Sequence, residues 1–418
     1  MELKRTFKRL KKDVFAVISL TYIIAVCSIA VFAYQIVPDK TANANQMHLS
    51  IHSQPPGFSC KVLIIPGQII NEENFFRGKI NSSEEIPIQQ IIWKKNSLFL
   101  KRYGNATNYL EEVSYDIFPK ELTRKEIEKN YLKDKFFLLG TDKYGRDLFS
   151  RLIIGSRISI SIGFVAVIIS VILGLFFGML AGFYGGWIDR LIIWLINVVW
   201  SIPTLLMVIA ITLALGRGFW QVFVAVGLTM WVEVARVVRG QVLSVREKEY
   251  VEAGKALGFH HFRIIFKHVL PNVMAAVIVI SAANFASAIL IEAGLSFLGI
   301  GAQPPIPSWG AMIKDHYAYI IMNKAYLAFI PGAAIMLLVL AFVLLLALLC
   351  WSTIVWLVVD MCIPIAMMTM PMSPSWLSIN FVAVFLMWTI MMAAMMLPSA
   401  IPMILLHHKM SGSGFVGV

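Results

Sequence analysis

The sequence predicts an all-α membrane bundle of about six spans, with one or two further spans at the C-terminal end and an extracytoplasmic α/β insert between spans 1 and 2. Composition is the first observation: of 418 residues, 58% are hydrophobic and 14% charged, against about 25% charged in a soluble domain. The second is a series of apolar runs long enough to cross a bilayer. The third is a single long polar stretch, residues 36–157, lying between the first of those runs and the rest.

Residues 1–35 come first. Six Lys or Arg precede Asp13, and an apolar run follows from Val14 to Val37. Basic flanks favour the cytoplasmic side, so this is expected to be a retained first span near 14–33 with a cytoplasmic N-terminus, rather than a cleaved signal sequence. Residues 36–157 hold most of the acidic side chains and strand-like runs such as Lys61-Val-Leu-Ile-Ile and Gln90-Ile-Ile-Trp. Pro55-Pro56-Gly57 marks a turn, and Leu122 to Asp134 is charged and helix-like. Long loops cross membranes largely regardless of charge, so the lysines here do not argue against an outside location.

The core, 158–349, carries spans expected near 158–183, 191–215, 222–238 and 273–298, and one that starts near Tyr326. Gly174, Gly178 and Gly182 recur every fourth residue in the first of these, a spacing that lets helices approach closely. Pro203 interrupts the second and is expected to kink it. Pro304, Pro305, Pro307 and Trp309 lie in an outer loop.

The polar segment 240–271 is expected to form a helix, a turn and a second helix at a membrane face. Ser244 and Glu247 have capping-box spacing, and Lys248 and Glu252 sit at i,i+4. Ala253, Ala256 and Leu257 give a small apolar side, and Gly258 is suited to the left-handed conformation that ends a helix. Pro271 marks an end or a kink. Crossing parity puts this loop in the cytoplasm, and so does charge: residues 236–267 carry seven Lys/Arg against three Glu.

The run Glu252-Ala253-Gly254, then Gly258, then Leu270-Pro271, follows the pattern Glu-Ala-Ala-x-x-x-Gly, nine residues, x-x-Leu-Pro, with Gly254 in place of the second Ala. It resembles the cytoplasmic coupling loop of permease subunits in ATP-binding-cassette importers. The stretches Trp231 to Glu252, Leu139-Gly-Thr-Asp-Lys-Tyr-Gly-Arg-Asp-Leu-Phe-Ser-Arg151 and Glu292-Ala-Gly-Leu-Ser-Phe-Leu-Gly299 are similar to the dipeptide/oligopeptide/nickel permease family, over roughly residues 1–341.

The resemblance implies an ATP-driven importer of di- or oligopeptides in the bacterial inner membrane. Its partners would be a second homologous permease, two ABC ATPase subunits, an extracytoplasmic solute-binding protein and membrane lipid. Tyr250, Glu252, Ala253, Gly254, Ala256, Leu257, Gly258, Leu270 and Pro271 would then contact or shape the ATPase interface. ATP-driven closure of the ATPases would move the loop and switch the pore between inward-open and outward-open forms.

Other residues leave alternatives open. Glu292 lies within a span, where a carboxylate is costly and must face the bundle interior or a wet cavity; it is either a proton relay or a structural hydrogen-bonding group. Glu233 and Arg236, at i,i+3, are an ion pair or, with Arg239, a cytoplasmic anchor. The net charge of +12 is dispersed, so no nucleic-acid partner is expected. No phosphate loop, Gly-x-Ser-x-Gly or His-Glu-x-x-His occurs; neither catalysis nor a cofactor is expected, and ATP hydrolysis would belong to partner subunits.

The tail, 350–418, departs from this pattern. Twelve of 21 Met lie from Met361 onward, and the stretch 345–410 resembles a family of integral membrane proteins predicted to bind metal. Thioether and imidazole ligands suit Cu(I), but Met also packs adaptably in lipid. The rival functions are an ion-coupled secondary transporter built on Glu292 and a metal-handling protein built on the tail.

Overall fold

The computed structural model describes residues 14–360, apart from 67–72, 75–77, 80–82, 95–96, 105–109, 119–123 and residue 217. The basic N-terminal dozen and the Met-rich tail beyond 360, with its metal reading, lie outside the described residues. By packing, residues 1–349 form one compact unit and 350–418 a second.

Helix α1 (Val14–Val31) is apolar throughout. The polar insert follows it. Strands β1 (Phe58–Ile65), β2 (Glu84–Trp93), β3 (Ser97–Arg102), β4 (Glu111–Ser114) and β5 (Leu132–Phe137) form one antiparallel sheet in the order β4-β3-β2-β1-β5. Both expected strand runs are strands, in β1 and β2. Pro87 sits inside β2, where a missing N–H would break a ladder; the pairing to β3 shifts register between Ile88 and Gln90, beside it.

Helix α2 (Arg124–Tyr131) contributes Ile127 to a core with Leu63, Ile86, Leu98, Leu100 and Val113. The expected helix at 122–134 is therefore only half helical. From Leu132 the chain pairs with β1, with Leu63 opposite Leu132, and that pairing overrides its charged composition. Cys60 is buried beside Val62 and Phe137, and burial pushes its thiol up to about 11.

Helix α3 (Leu148–Tyr184) starts ten residues ahead of the span expected at 158, because Asp147 caps it: its carboxylate accepts from Ser150 N at 3.1 Å. Then come α4 (Gly186–Trp200), α5 (Thr204–Leu215) and α6 (Phe219–Arg246). Helices α4 and α5 meet at 90° across Ser201-Ile202-Pro203, so the kink expected at Pro203 is a full break. Two short helices, α7 (Glu249–Ala256) and α8 (His261–Ile264), lead into α9 (Leu270–Phe297), followed by α10 (Trp309–His316) and α11 (Tyr326–Asp360).

Among the described residues, four helical stretches, 148–184, 219–246, 261–297 and 326–345, are long and apolar enough to cross a membrane, or five if α4 and α5 make one bent span. The described part of the N-terminal helix counted with them, Val17–Val31, is apolar but shorter.

Helices α3 and α6 form the tightest seam. A Cβ added at Gly174, Gly178 or Gly182 would fall 2.4 Å from Val234, 2.7 Å from Val238 and 2.7 Å from Val242 respectively. A glycine row of period four therefore lies in a valine row of the same period, the close approach that small residues permit between membrane helices.

Candidate functional site

The polar loop between α6 and α9 is built from its inner face outward. Val251, Ile264 and Val269 are fully buried with Val242, Val245 and Val273 in one core, which fixes α7 and α8 against α6 and α9. Helix α7 closes with two backbone bonds that satisfy its last carbonyls: Phe259 N donates to Gly254 O at 3.0 Å and Gly258 N to Lys255 O at 2.9 Å. This is the Schellman arrangement, and Gly258 takes the left-handed φ of 74° that it needs. His260 then caps α8, its Nδ1 accepting from Phe262 N at 3.4 Å.

Two local expectations are corrected, at Ser244 and at Pro271. Ser244 and Glu247 do not cap a new helix: α6 runs through Arg246, held by the buried Val242 and Val245, and α7 starts after Lys248 without a side-chain cap. The small apolar side is turned outward as a whole. Ala253, Ala256 and Leu257 are exposed, whereas Gly254 is buried against the bundle. There a Cβ would meet Phe259 at 3.6 Å and Ile264 at 3.8 Å, ordinary contact distances, so alanine fits as well. Pro271 neither ends nor breaks the helix. A π turn over Ile265–Val269 precedes it, with Leu270 N bonded to Ile265 O, and the wider turn relieves the clash a proline makes with the carbonyl four residues back.

Outward, the loop presents a polar and aromatic surface. Glu252 is exposed, and its carboxylate makes no hydrogen bond or ion pair to the described residues. Tyr250, Leu257, Phe262 and Phe266 are exposed as well, Leu257 at 73%. Leu270 is half-buried and Pro271 exposed. The loop sits at the C-terminal end of α3, where the His261 ring meets Phe183 at 5.6 Å and Tyr184 at 5.8 Å edge to face. The sheet insert adjoins the opposite end of α3, through the Asp147 cap and through Asp39 N, which donates to Ser150 Oγ at 3.1 Å.

The anchor residues have partners different from those expected. Arg236 does not pair with Glu233; its guanidinium lies 3.6 Å from the Trp200 ring centroid, a cation–π contact available only because α4 ends beside α6. Arg239 makes a two-pronged pair with Asp189 of α4, at 2.5 and 2.7 Å. Arg246, not singled out from the sequence, donates from Nη1 to Gly182 O and Phe183 O, the last carbonyls of α3. In the same loop His260 supplies the α8 cap and His261 the ring contacts with the end of α3.

Glu292 is fully buried. Its Oε1 accepts from Ser296 Oγ at 2.6 Å and its Oε2 from Ser159 Oγ at 3.4 Å. Ser159 Oγ in turn accepts from Trp309 N at 3.4 Å, and the Trp309 indole donates to Leu152 O at 2.9 Å. The carboxylate ties α3, α9 and α10 together, with both oxygens engaged. Among the described residues no group of three or more His, Cys, Asp or Glu could hold a metal.

Comparison with known proteins places these features. Residues 174–360 match the family model "Binding-protein-dependent transport system inner membrane component", and residues 2–56 match "N-terminal TM domain of oligopeptide transport permease C". The dipeptide transport system permease protein DppC of Alkalihalophilus pseudofirmus is 41% identical over 49% of this chain and 66% of its own length. DppC of Bacillus subtilis is 40% identical over 54% of this chain and 70% of its own. The glutathione transport system permease protein GsiD of Pectobacterium atrosepticum is 39% identical over 50% and 68%. The chain thus spans about two thirds of the length of these relatives. The methionine ABC transporter MetNI in an inward facing conformation aligns at 19% identity over 48% of this chain and 96% of that one, with a TM-score of 0.38, and carries no argument at that score. The matched residues include both α3–α6 seam partners and the whole 240–271 loop, and on these grounds the chain belongs to the family of binding-protein-dependent transport system inner membrane components.

Proposed function

We propose that the chain is one translocation subunit of an ATP-driven importer of di- or oligopeptides. It pairs with a second, homologous permease and takes its substrate from an extracytoplasmic binding protein. Two ATPase subunits hydrolyse the ATP. The N-terminus and the 250–271 loop face the cytoplasm, and the sheet insert faces outside.

One observation carries the reading. The loop is rigid on its inner face, where Val251 and Ile264 are fully buried, yet it exposes Tyr250, Leu257, Phe262 and Phe266. Exposed aromatic and aliphatic side chains on a fixed support are what a docking partner buries. Glu252, exposed on the same helix, supplies a polar contact at that surface. A push on α8 passes to α9 along one helical stretch, because the helix continues through the π turn. The peptide substrate follows from the names of the relatives and from the oligopeptide-permease match at 2–56.

The test replaces Glu252 and Gly258 in turn within the assembled transporter, then measures ATPase retention in pull-downs and ATP-dependent peptide uptake into vesicles. Loss of uptake with intact folding is expected for both. Undiminished uptake in both variants would refute the coupling role.

A further inference from the structure

The segment Leu139–Arg151 contains an Asp-Lys-Tyr-Gly-Arg-Asp turn that neither the coupling loop nor the α3–α6 seam uses. It is tightly determined. Asp142 Oδ1 accepts from Tyr144 N at 2.8 Å and from Arg146 N at 2.9 Å, while Asp142 Oδ2 accepts from Arg146 Nε at 2.6 Å. Gly145, at φ 73°, leaves no room for a side chain: a Cβ would sit 1.8 Å from His48 O. Lys143 reaches across to Asp315 of α10 at 2.9 Å.

This turn forms one wall of a cavity of about 360 Å³, and the outer loop around Gln303 forms the other. Arg146, Arg151 and Lys314 line it. Arg146 is 3% exposed and Arg151 4%. Arg146 Nη1 donates to Asn45 Oδ1 at 3.0 Å, but the buried Nη2 has no hydrogen-bond partner. Asp142 serves Arg146 and stands 3.7 Å from Arg151, and Asp315 is taken by Lys143. Lys143, Arg146, Arg151 and Lys314 therefore meet Asp142, Asp315 and, near Arg151, Asp39, so that cations outnumber carboxylates. Buried guanidinium groups are ordinarily matched by anions, and the fork of Arg fits a carboxylate.

We propose that this cavity binds the terminal carboxylate of a peptide, with Arg146, Arg151 and Lys314 supplying the charge. The inference rests on the peptide-import reading above and adds a recognition site to it. The backbone of the peptide would lie along the apolar side formed by Pro304, Pro305 and Ile306. The requirement for a free carboxylate would then be read by this subunit itself.

The test is equilibrium dialysis of the purified full-length chain with radiolabelled dialanine and, separately, dialaninamide. Dialanine is expected to bind at least about tenfold tighter, the worth of a charge-assisted hydrogen bond. Lys314→Gln, at an exposed position, should weaken dialanine about tenfold and leave the amide unchanged. Arg146→Lys should act in the same direction, and the Lys314 variant keeps the test valid if that one misfolds. Equal binding of dialanine and its amide, no binding of dialanine, an unaffected Lys314→Gln, or displacement of dialanine by equimolar inorganic phosphate would each overturn the site. Dialanine uptake by the assembled transporter without cavity binding would sink the site and spare the importer. Cavity binding without uptake would do the reverse.

Discussion

The two ends of α9 are built on opposite principles. At its C-terminal end Glu292, Ser296, Ser159 and Trp309 are joined by hydrogen bonds, and the neighbouring Asp142 holds Arg146 with almost no exposure to solvent. At its N-terminal end, 28 residues or about 42 Å away at 1.5 Å per residue, the loop is fixed by apolar packing and turns Glu252, Leu257, Phe262 and Phe266 outward. At the first end Glu292, Ser296, Ser159 and Trp309 satisfy one another within the chain. The second leaves apolar surface and a carboxylate for something else to cover. That contrast separates an end held by polar side chains from an end held by apolar packing that keeps its outer surface open.

The sharpest way to break the comparison is at the wired end. Asp142→Ala leaves Arg146 and Arg151 buried without their carboxylate, and should cost about 3–5 kcal/mol, read as a fall in Tm of the full chain in detergent. A cost near zero would mean that this end is not held by charge.

Next is pH. Burial alone would raise Glu85, but contact with His48 at 3.2 Å and the Lys135 ammonium outweigh it and hold the carboxyl at about 2. A carboxylate lowered on folding stabilises above its ordinary pKa near 4.5 and loses that contribution as pH falls toward 2. Stability of the full chain should drop by roughly 3 kcal/mol over that window, and Glu85→Gln should remove this component of the slope.

Smaller effects sharpen the picture. Gly178→Val places side-chain atoms into Val238 and should cost about 1–3 kcal/mol, whereas Gly240→Ala, with open space around it, should be silent in the same melt. Gly258→Ala has room but the wrong φ, and should cost about 1 kcal/mol. Smallest of all, Leu257→Gln and Phe262→Gln should shift stability by no more than about 0.5 kcal/mol while reducing ATPase retention in pull-downs. If these two destabilise the isolated chain instead, the open end is not an open end.

Local signals were legible where the physics is local. Gly258 is legible as the left-handed end of a helix, and Pro203 as a kink though not as the full break, because a missing N–H and a fixed φ act on the nearest turn whatever surrounds them. The glycine row 174–178–182 announced close packing, though not its partner. The capping box at Ser244 failed because a capping preference of about 1 kcal/mol loses to the burial of two valines in the same helix. The sequence neighbour of Arg236 is Glu233, and its spatial neighbour is Trp200; nothing in the spacing could have revealed that.

The amino-acid order by itself determined a chain of apolar helices, a polar insert and a helix–turn–helix between spans, because hydrophobicity, glycine and proline act along the chain. Tertiary packing alone decided that Gly254 faces inward, that Arg239 meets Asp189, and that Arg146, Arg151 and Lys314 surround one cavity. Asp189 and Arg239 lie 50 positions apart, Lys314 lies farther still from Arg146 and Arg151, and only the closing of the helices on one another fixes which distant charges share a space.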